Sequence, residues 1–185
     1  MLACLALCMS LAACGESDEA GSGNTAEGMK LQHGIAFGMT YDEANEQYQA
    51  ATGMDMPSLK GNEASGYLQN GIDETLKFYG ISKKTRENLH TPEEAFVFNG
   101  PGELCQYVLV LKPEPEIVSG VSEELVGEDV LNEVAKQLDA LLDTEHTTKE
   151  TGTYLEMRWE TDDVTASVRL SATDSFQVTL TIGTV

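Results

Sequence analysis

Residues 153–182, TYLEMRWETDDVTASVRLSATDSFQVTLTI, decide the fold. Leu155, Met157 and Trp159 alternate with Glu156, Arg158 and Glu160; Val164, Ala166, Val168 and Leu170 alternate with Thr165, Ser167 and Arg169. Phe176, Val178, Leu180 and Ile182 do the same with Gln177, Thr179 and Thr181. Period two puts successive side chains on opposite faces of a strand. Three such runs, separated by Asp162-Asp163 and by Thr173-Asp174-Ser175, predict an antiparallel meander with one apolar and one polar face. The apolar face needs a cover. Just upstream, GEDVLNEVAKQLDALLDTEH (127–146) provides it: Val130, Leu131, Val134, Leu138, Leu141 and Leu142 form one helical stripe from about 130 to 143, with Asp129 as the expected cap.

Further upstream the same order recurs more faintly. Thr40 and Glu43 have capping-box spacing, and Tyr41, Ala44, Tyr48 and Ala51 repeat at helical intervals until Gly53. Strands are expected at about 94–98 (EAFVF) and 104–111 (LCQYVLVL), around the turn signal NGPG. The second is apolar on both faces, as suits a strand inside a sheet. Between 57 and 92 the pattern is ambiguous: TLKFYGI reads as a strand, or Asp73 to Tyr79 as a short helix ended by Gly80, and TPEEA also resembles a helix start. Aligning Phe37-Gly38-x-Thr40 with Val126-Gly127-x-Asp129 puts the two helix starts in register. The expected fold class is therefore α+β: two tandem helix-then-antiparallel-sheet units (about 31–115 and 116–185) within one domain, helices packed on one face of the sheet.

The chain has 185 residues, 41% of them hydrophobic, which suits one globular domain able to fold without metal or disulfide. Its formal net charge of −20, with only 11 Lys and Arg, excludes nucleic acid as a partner, because phosphate binding needs clustered cations. A solubilising surface is the simplest reading of the acidity.

Residues 1–13, MLACLALCMSLAA, are uncharged and almost wholly apolar or small. The run is too short to cross a hydrocarbon core of ~30 Å, which takes ~20 helical residues, and suits the apolar region of a signal peptide. Leu11-Ala12-Ala13-Cys14-Gly15 resembles the bacterial lipobox. That resemblance implies that the Cys14 thiol takes a diacylglyceryl group and becomes the first residue of the mature chain. Lys and Arg are missing before the apolar run, and a basic stretch is expected upstream in the gene. Paired acyl chains anchor stably where one is marginal, so the implied location is the extracytoplasmic face of the cell membrane. The Gly-, Ser- and acid-rich tract that follows, within residues 14–30, reads as a flexible tether. Cys4 and Cys8 leave with the signal, so Cys105 is the one free thiol; its apolar flanks predict a buried, inert side chain.

FGMTYDEAN (37–45), with Gly-Met-Thr and an acid three residues after the Thr, resembles the helix-opening motif of the small lipoprotein of the outer-membrane β-barrel assembly machinery. The tandem helix-then-sheet order is similar to the β-lactamase-inhibitor protein fold. Both resemblances imply a noncatalytic protein that binds another protein; the lack of a disulfide framework departs from the inhibitors. No binding residue carries over.

Catalytic motifs are missing: there is no G-x-S-x-G, H-E-x-x-H, C-x-x-C or phosphate-binding glycine loop. His33, His90 and His146 are far apart and polar-flanked, so exposed loop positions are expected, with no metal site. The acid pairs Glu93-Glu94, Glu123-Glu124, Glu128-Asp129 and Asp162-Asp163 read as helix-start and turn chemistry. Trp159 reads as core. The leading expectation is a lipid-anchored, noncatalytic protein- or ligand-binding protein of the cell envelope, with no cofactor. The alternatives are a Ca²⁺ or small-molecule binding module, for which the Asp162-Asp163 turn is the weak cation candidate, and an enzyme with acids gathered from distant strands.

Overall fold

The computed structural model describes residues 29–114, 122–171 and 175–185. Cys14, the apolar run 1–13, the tether as far as residue 28 and the Thr173-Asp174 part of the last turn lie outside the described residues. A 3-10 turn at Gln32–Gly34 opens the fold and leads into helix α1 (Tyr41–Thr52). Strand β1 (Glu63–Tyr67), helices α2 (Ile72–Phe78) and α3 (Lys83–Arg86), and strands β2 (Glu93–Phe98) and β3 (Leu104–Leu111) follow. The long helix α4 (Glu123–Leu142) then precedes β4 (Thr147–Glu150), β5 (Tyr154–Glu160), β6 (Val164–Ser171) and β7 (Val178–Thr184). The class is α+β.

All seven strands join one sheet in the order β1-β2-β3-β7-β6-β5-β4, and every pair is antiparallel. The meander β5-β6-β7 forms as the alternation requires. Its last strand does not end the sheet: β7 pairs along β3, with Leu109 opposite Leu180. That pairing joins the strands that precede α4 to those that follow it.

Phe96, Tyr107, Leu109, Leu180, Val168 and Trp159 share the covered face and are fully buried. Val130, Leu131, Val134 and Leu138 of α4 close over it. Burying each large apolar side chain contributes roughly 1.5–3 kcal/mol, so this face supplies most of the hydrophobic stabilisation. The side chains of β2, β3, β7 and β6 that alternate with these are half-exposed, or exposed at Arg169, and no helix covers them among the described residues.

The first helix forms as its capping box dictates. Thr40 is the N-cap: the Glu43 carboxylate accepts from the Thr40 backbone N–H at 2.8 Å, and the Thr40 hydroxyl accepts from the Glu43 N–H at 3.4 Å. The Thr40 N–H, and after it the Thr40 hydroxyl, which donates to Glu43 Oε2 at 2.8 Å, hold the Glu43 carboxyl below its usual range. Gly53, at φ 74°, ends the helix in the left-handed conformation that glycine adopts without strain.

Three expectations need correction. Helix α4 starts seven residues early, at Glu123, capped by the Ser122 hydroxyl; Asp129 and Gly127 are inside it, so the proposed register between the two helix starts does not exist. Gly127 serves packing instead. A Cβ there would stand 2.8 Å from Leu170 Cδ1 and 2.9 Å from the Phe176 carbonyl oxygen, so its bare backbone lets α4 approach β6 closely. Phe176 is not a strand residue: its φ of 47° places it in the bend before β7. Residues 57–92, left open between a TLKFYGI strand and a short helix at Asp73 to Tyr79, hold that helix as α2, and also β1, whose small, weakly patterned EASGY run carries no strand signal. Folded structure also begins before residue 31, since Lys30 bridges Ala36 and Met29 packs on the core.

Candidate functional site

Two regions stand out: the uncovered face of the sheet and a polar cluster buried under the opposite face. Along β2 they are separated by one residue. Glu93 points to the open face and Glu94 into the core.

The open face follows from strand register. Opposed residues read, row by row, Arg158–Ser167–Thr181–Val108–Ala95–Ser65 and Glu156–Arg169–Thr179–Val110–Glu93–Tyr67. Hydroxyl and small aliphatic side chains pave its centre, with charges around them. Lys112 Nζ holds Glu93 at 2.8 Å, and the Arg169 guanidinium lies 3.9 Å above the Tyr154 ring. Lys112, Arg158 and Arg169 offset Glu63, Glu93, Glu156 and Glu160, so this face is nearly neutral although the chain carries −20. At the β1 end, Tyr67, His90, Glu93 and Lys112 line an open cleft of about 480 Å³. Tyr67 is 65% exposed there, while every other described Phe, Tyr and Trp is buried or half-buried.

The buried cluster centres on Glu94, 3% exposed. Tyr48 of α1 donates its hydroxyl to Glu94 Oε1 at 2.7 Å; Tyr107 of β3 and the Gln32 amide donate to Oε2 at 3.3 and 3.5 Å. Tyr79, just after α2, donates to Gln32 Oε1 at 2.7 Å and stacks on Tyr107 with 5.9 Å between ring centroids. No cation lies within ion-pair distance of Glu94 among the described residues. Burial pushes the Glu94 carboxyl up to about 7, against the three hydrogen bonds that favour its charged form. The same burial, with Glu94 nearby, raises the Tyr48 and Tyr107 hydroxyls far above their usual range.

The histidines depart from the exposed-loop expectation in two cases of three. His90 is exposed, 3.2 Å from Glu114. His33 is half-buried: its Nε2 lies 3.0 Å from the Thr75 hydroxyl, its ring meets Tyr48 edge-on at 5.8 Å, and burial lowers it, against the pull of Glu74. His146 is half-buried too. It and the Trp159 indole both bond to Asp139 Oδ1, at 3.0 and 2.8 Å. Burial would raise the Asp139 carboxyl, but these bonds outweigh it and hold it below its usual range. Trp159 is core, as its alternation requires. Asp139 thus holds the His146 ring and the Trp159 indole on one carboxylate oxygen.

Cys105 is only partly buried, at the irregularity where β2 and β3 shift register, and its thiol donates to the Val97 carbonyl at 3.4 Å. Among the described residues no three His, Cys, Asp or Glu side chains gather as metal ligands, and none join the Asp162-Asp163 turn. No helix there is long and apolar enough to cross a membrane.

Glu94 is the site residue that the acid-pair reading misplaced. Its signal was present: in EEAFVF it keeps step with Phe96 and Phe98, both buried. The chain matches no protein-family model and no curated protein.

Proposed function

We propose that the protein is anchored by lipid at Cys14 on the extracytoplasmic face of a bacterial membrane and binds another envelope protein, without catalysis, through the open face of its sheet. The observation that carries the binding surface is that face itself: a seven-stranded sheet with one side unroofed among the described residues, paved with small side chains and close to neutral. A nearly neutral surface lets a partner approach where the rest of a −20 chain repels anions. The lipobox string supports the anchor, and the Gly-, Ser- and acid-rich composition that follows supports a tether: a Gly-rich chain of about 16 residues averages ~20–25 Å end to end.

Photocrosslinkers placed at Thr181 and Val108 on the open face, and at Lys136 on the exposed side of α4, test the reading in intact cells. A discrete crosslinked protein is expected from the first two positions and not the third; equal products from all three, or none from the sheet, would count against it. Radioactive palmitate should label the unmutated protein and fail to label a Cys14→Ser variant. The cleft beside Tyr67 keeps a small-molecule reading alive at the same face, and a ligand-induced shift of Tyr67 resonances is its readout.

A further inference from the structure

Glu94 is an acid sealed among neutral groups on every side. Its own strand contributes Phe96 one pair along; β3 contributes Tyr107; α1 contributes Tyr48; the 3-10 turn contributes Gln32; and Tyr79, after α2, backs Gln32. His33, next to Gln32, touches the edge of Tyr48 and is turned to Thr75 on α2. Opposite Glu94 on β1 stands Gly66, against which Pro57 packs so closely that an added Cβ would come within 3.1 Å. Gln32, Tyr48 and Tyr79 come from segments that precede β2, and Tyr107 comes from β3.

We propose that Glu94 is a proton-operated latch: neutral, it holds the Gln32–Gly34 turn and α1 against the sheet, and ionised, it loosens them. When the acid gives its proton to bulk water, the charge left behind faces two phenols and an amide, all neutral. A buried charge without a counter-ion is relieved by water. Water reaches this carboxyl only if Gln32 or Tyr48 moves aside. The turn is the weak part of the seal. It contains two successive left-handed residues, His33 at φ 62° and Gly34 at φ 77°, and a β-carbon makes the first of these costly. The far end of the sheet lacks such a group: β6 and β7 bury only apolar side chains, so they stay closed as pH changes. The latch depends on the core geometry alone and stands whether or not the open face binds a partner.

Hydrogen exchange of the full chain in detergent at pH 5.5 and pH 8.5, corrected for the intrinsic rate, tests it. Protection of residues 29–52, measured relative to β6, is expected to fall at least tenfold at the higher pH. Glu94→Gln, which keeps the shape and drops the charge, should hold protection at its pH 5.5 level at both. Tyr48→Phe removes the shortest bond to the anion and should move the transition to higher pH. The latch is overturned if wild-type protection of 29–52 relative to β6 is the same at both pH values, or if the transition stays where it was in both variants. The wild-type comparison decides even if Glu94→Gln fails to fold.

Discussion

Glu93 and Glu94 are chain neighbours with the same side chain and opposite fates. One lies on the open face, half-exposed, 2.8 Å from Lys112; the other is sealed in the core among phenols. The same contrast runs along the whole sheet. On the covered face, packing decides every residue: aromatic and aliphatic side chains interlock under α1, α2 and α4. On the open face Ser, Thr, Ala and Val meet water, Lys112 pairs with Glu93, and Arg169 lies over the Tyr154 ring. The difference teaches where sequence change should matter for stability and where it should matter for binding.

The largest effect is expected from Phe96→Ala. The ring is fully buried, 5.1 Å from Tyr107 and 6.1 Å from Tyr48 between centroids, so its loss should cost about 3–5 kcal/mol by urea denaturation. A cost under 1 kcal/mol would mean that the two faces are not unequal. Next comes the pH dependence of stability. Glu94 keeps its proton up to about 7 when folded, whereas an unperturbed glutamate titrates near 4.5. Its contribution is therefore complete below about pH 4.5 and is lost as pH rises to about 7. Over that window the wild type should lose roughly 3 kcal/mol relative to Glu94→Gln, whose curve should lack this component. Denaturation midpoints at pH 4.5, 6 and 8 measure it.

Gly127→Ala sharpens the comparison from the helix side. The new methyl group would press on Leu170 and on a backbone oxygen of Phe176, which cannot rotate away, so a loss of about 1–3 kcal/mol in thermal denaturation is expected. The smallest effect belongs to the open face: Lys112→Gln breaks the ion pair with Glu93, whose partners are each about 40% exposed, and should cost less than ~1 kcal/mol in urea. If that change instead weakened the crosslinking at Thr181 or Val108, the open face would gain a named contact.

Much of this arrangement was legible beforehand. The alternation in β5, β6 and β7 assigned nearly every residue to its face, and Thr40, Glu43 and Gly53 bounded α1 to the residue. Strand β1 was not legible, because Ala64 and Gly66 carry little pattern and form a strand through pairing with β2. Strand β4 was missed for the same reason: TTKE is exposed throughout and is ordered by β5. The start of α4 was misread because Asp129 and Ser122 are both competent caps, and the contact of Gly127 with β6 decides between them. Of the candidate site, the neutral open face was implicit in the polar phase of each strand. The Glu94 cluster was half-visible, since the acid shares a phase with Phe96 and Phe98, but Gln32, Tyr48, Tyr79 and Tyr107 come from separate parts of the chain.

By itself, the sequence determined the local facts: which segments alternate, which repeat at helical spacing, and which face each side chain of a strand must take. Those follow from backbone geometry, which repeats over two residues in a strand and about four in a helix. Only the tertiary structure decided that β7 lies against β3, that α4 begins at Glu123 behind the Ser122 cap, and that one glutamate of a pair loses contact with water. Pairing partners and burial depend on groups brought together from distant positions, and the periodicity of any one segment carries no record of what will face it.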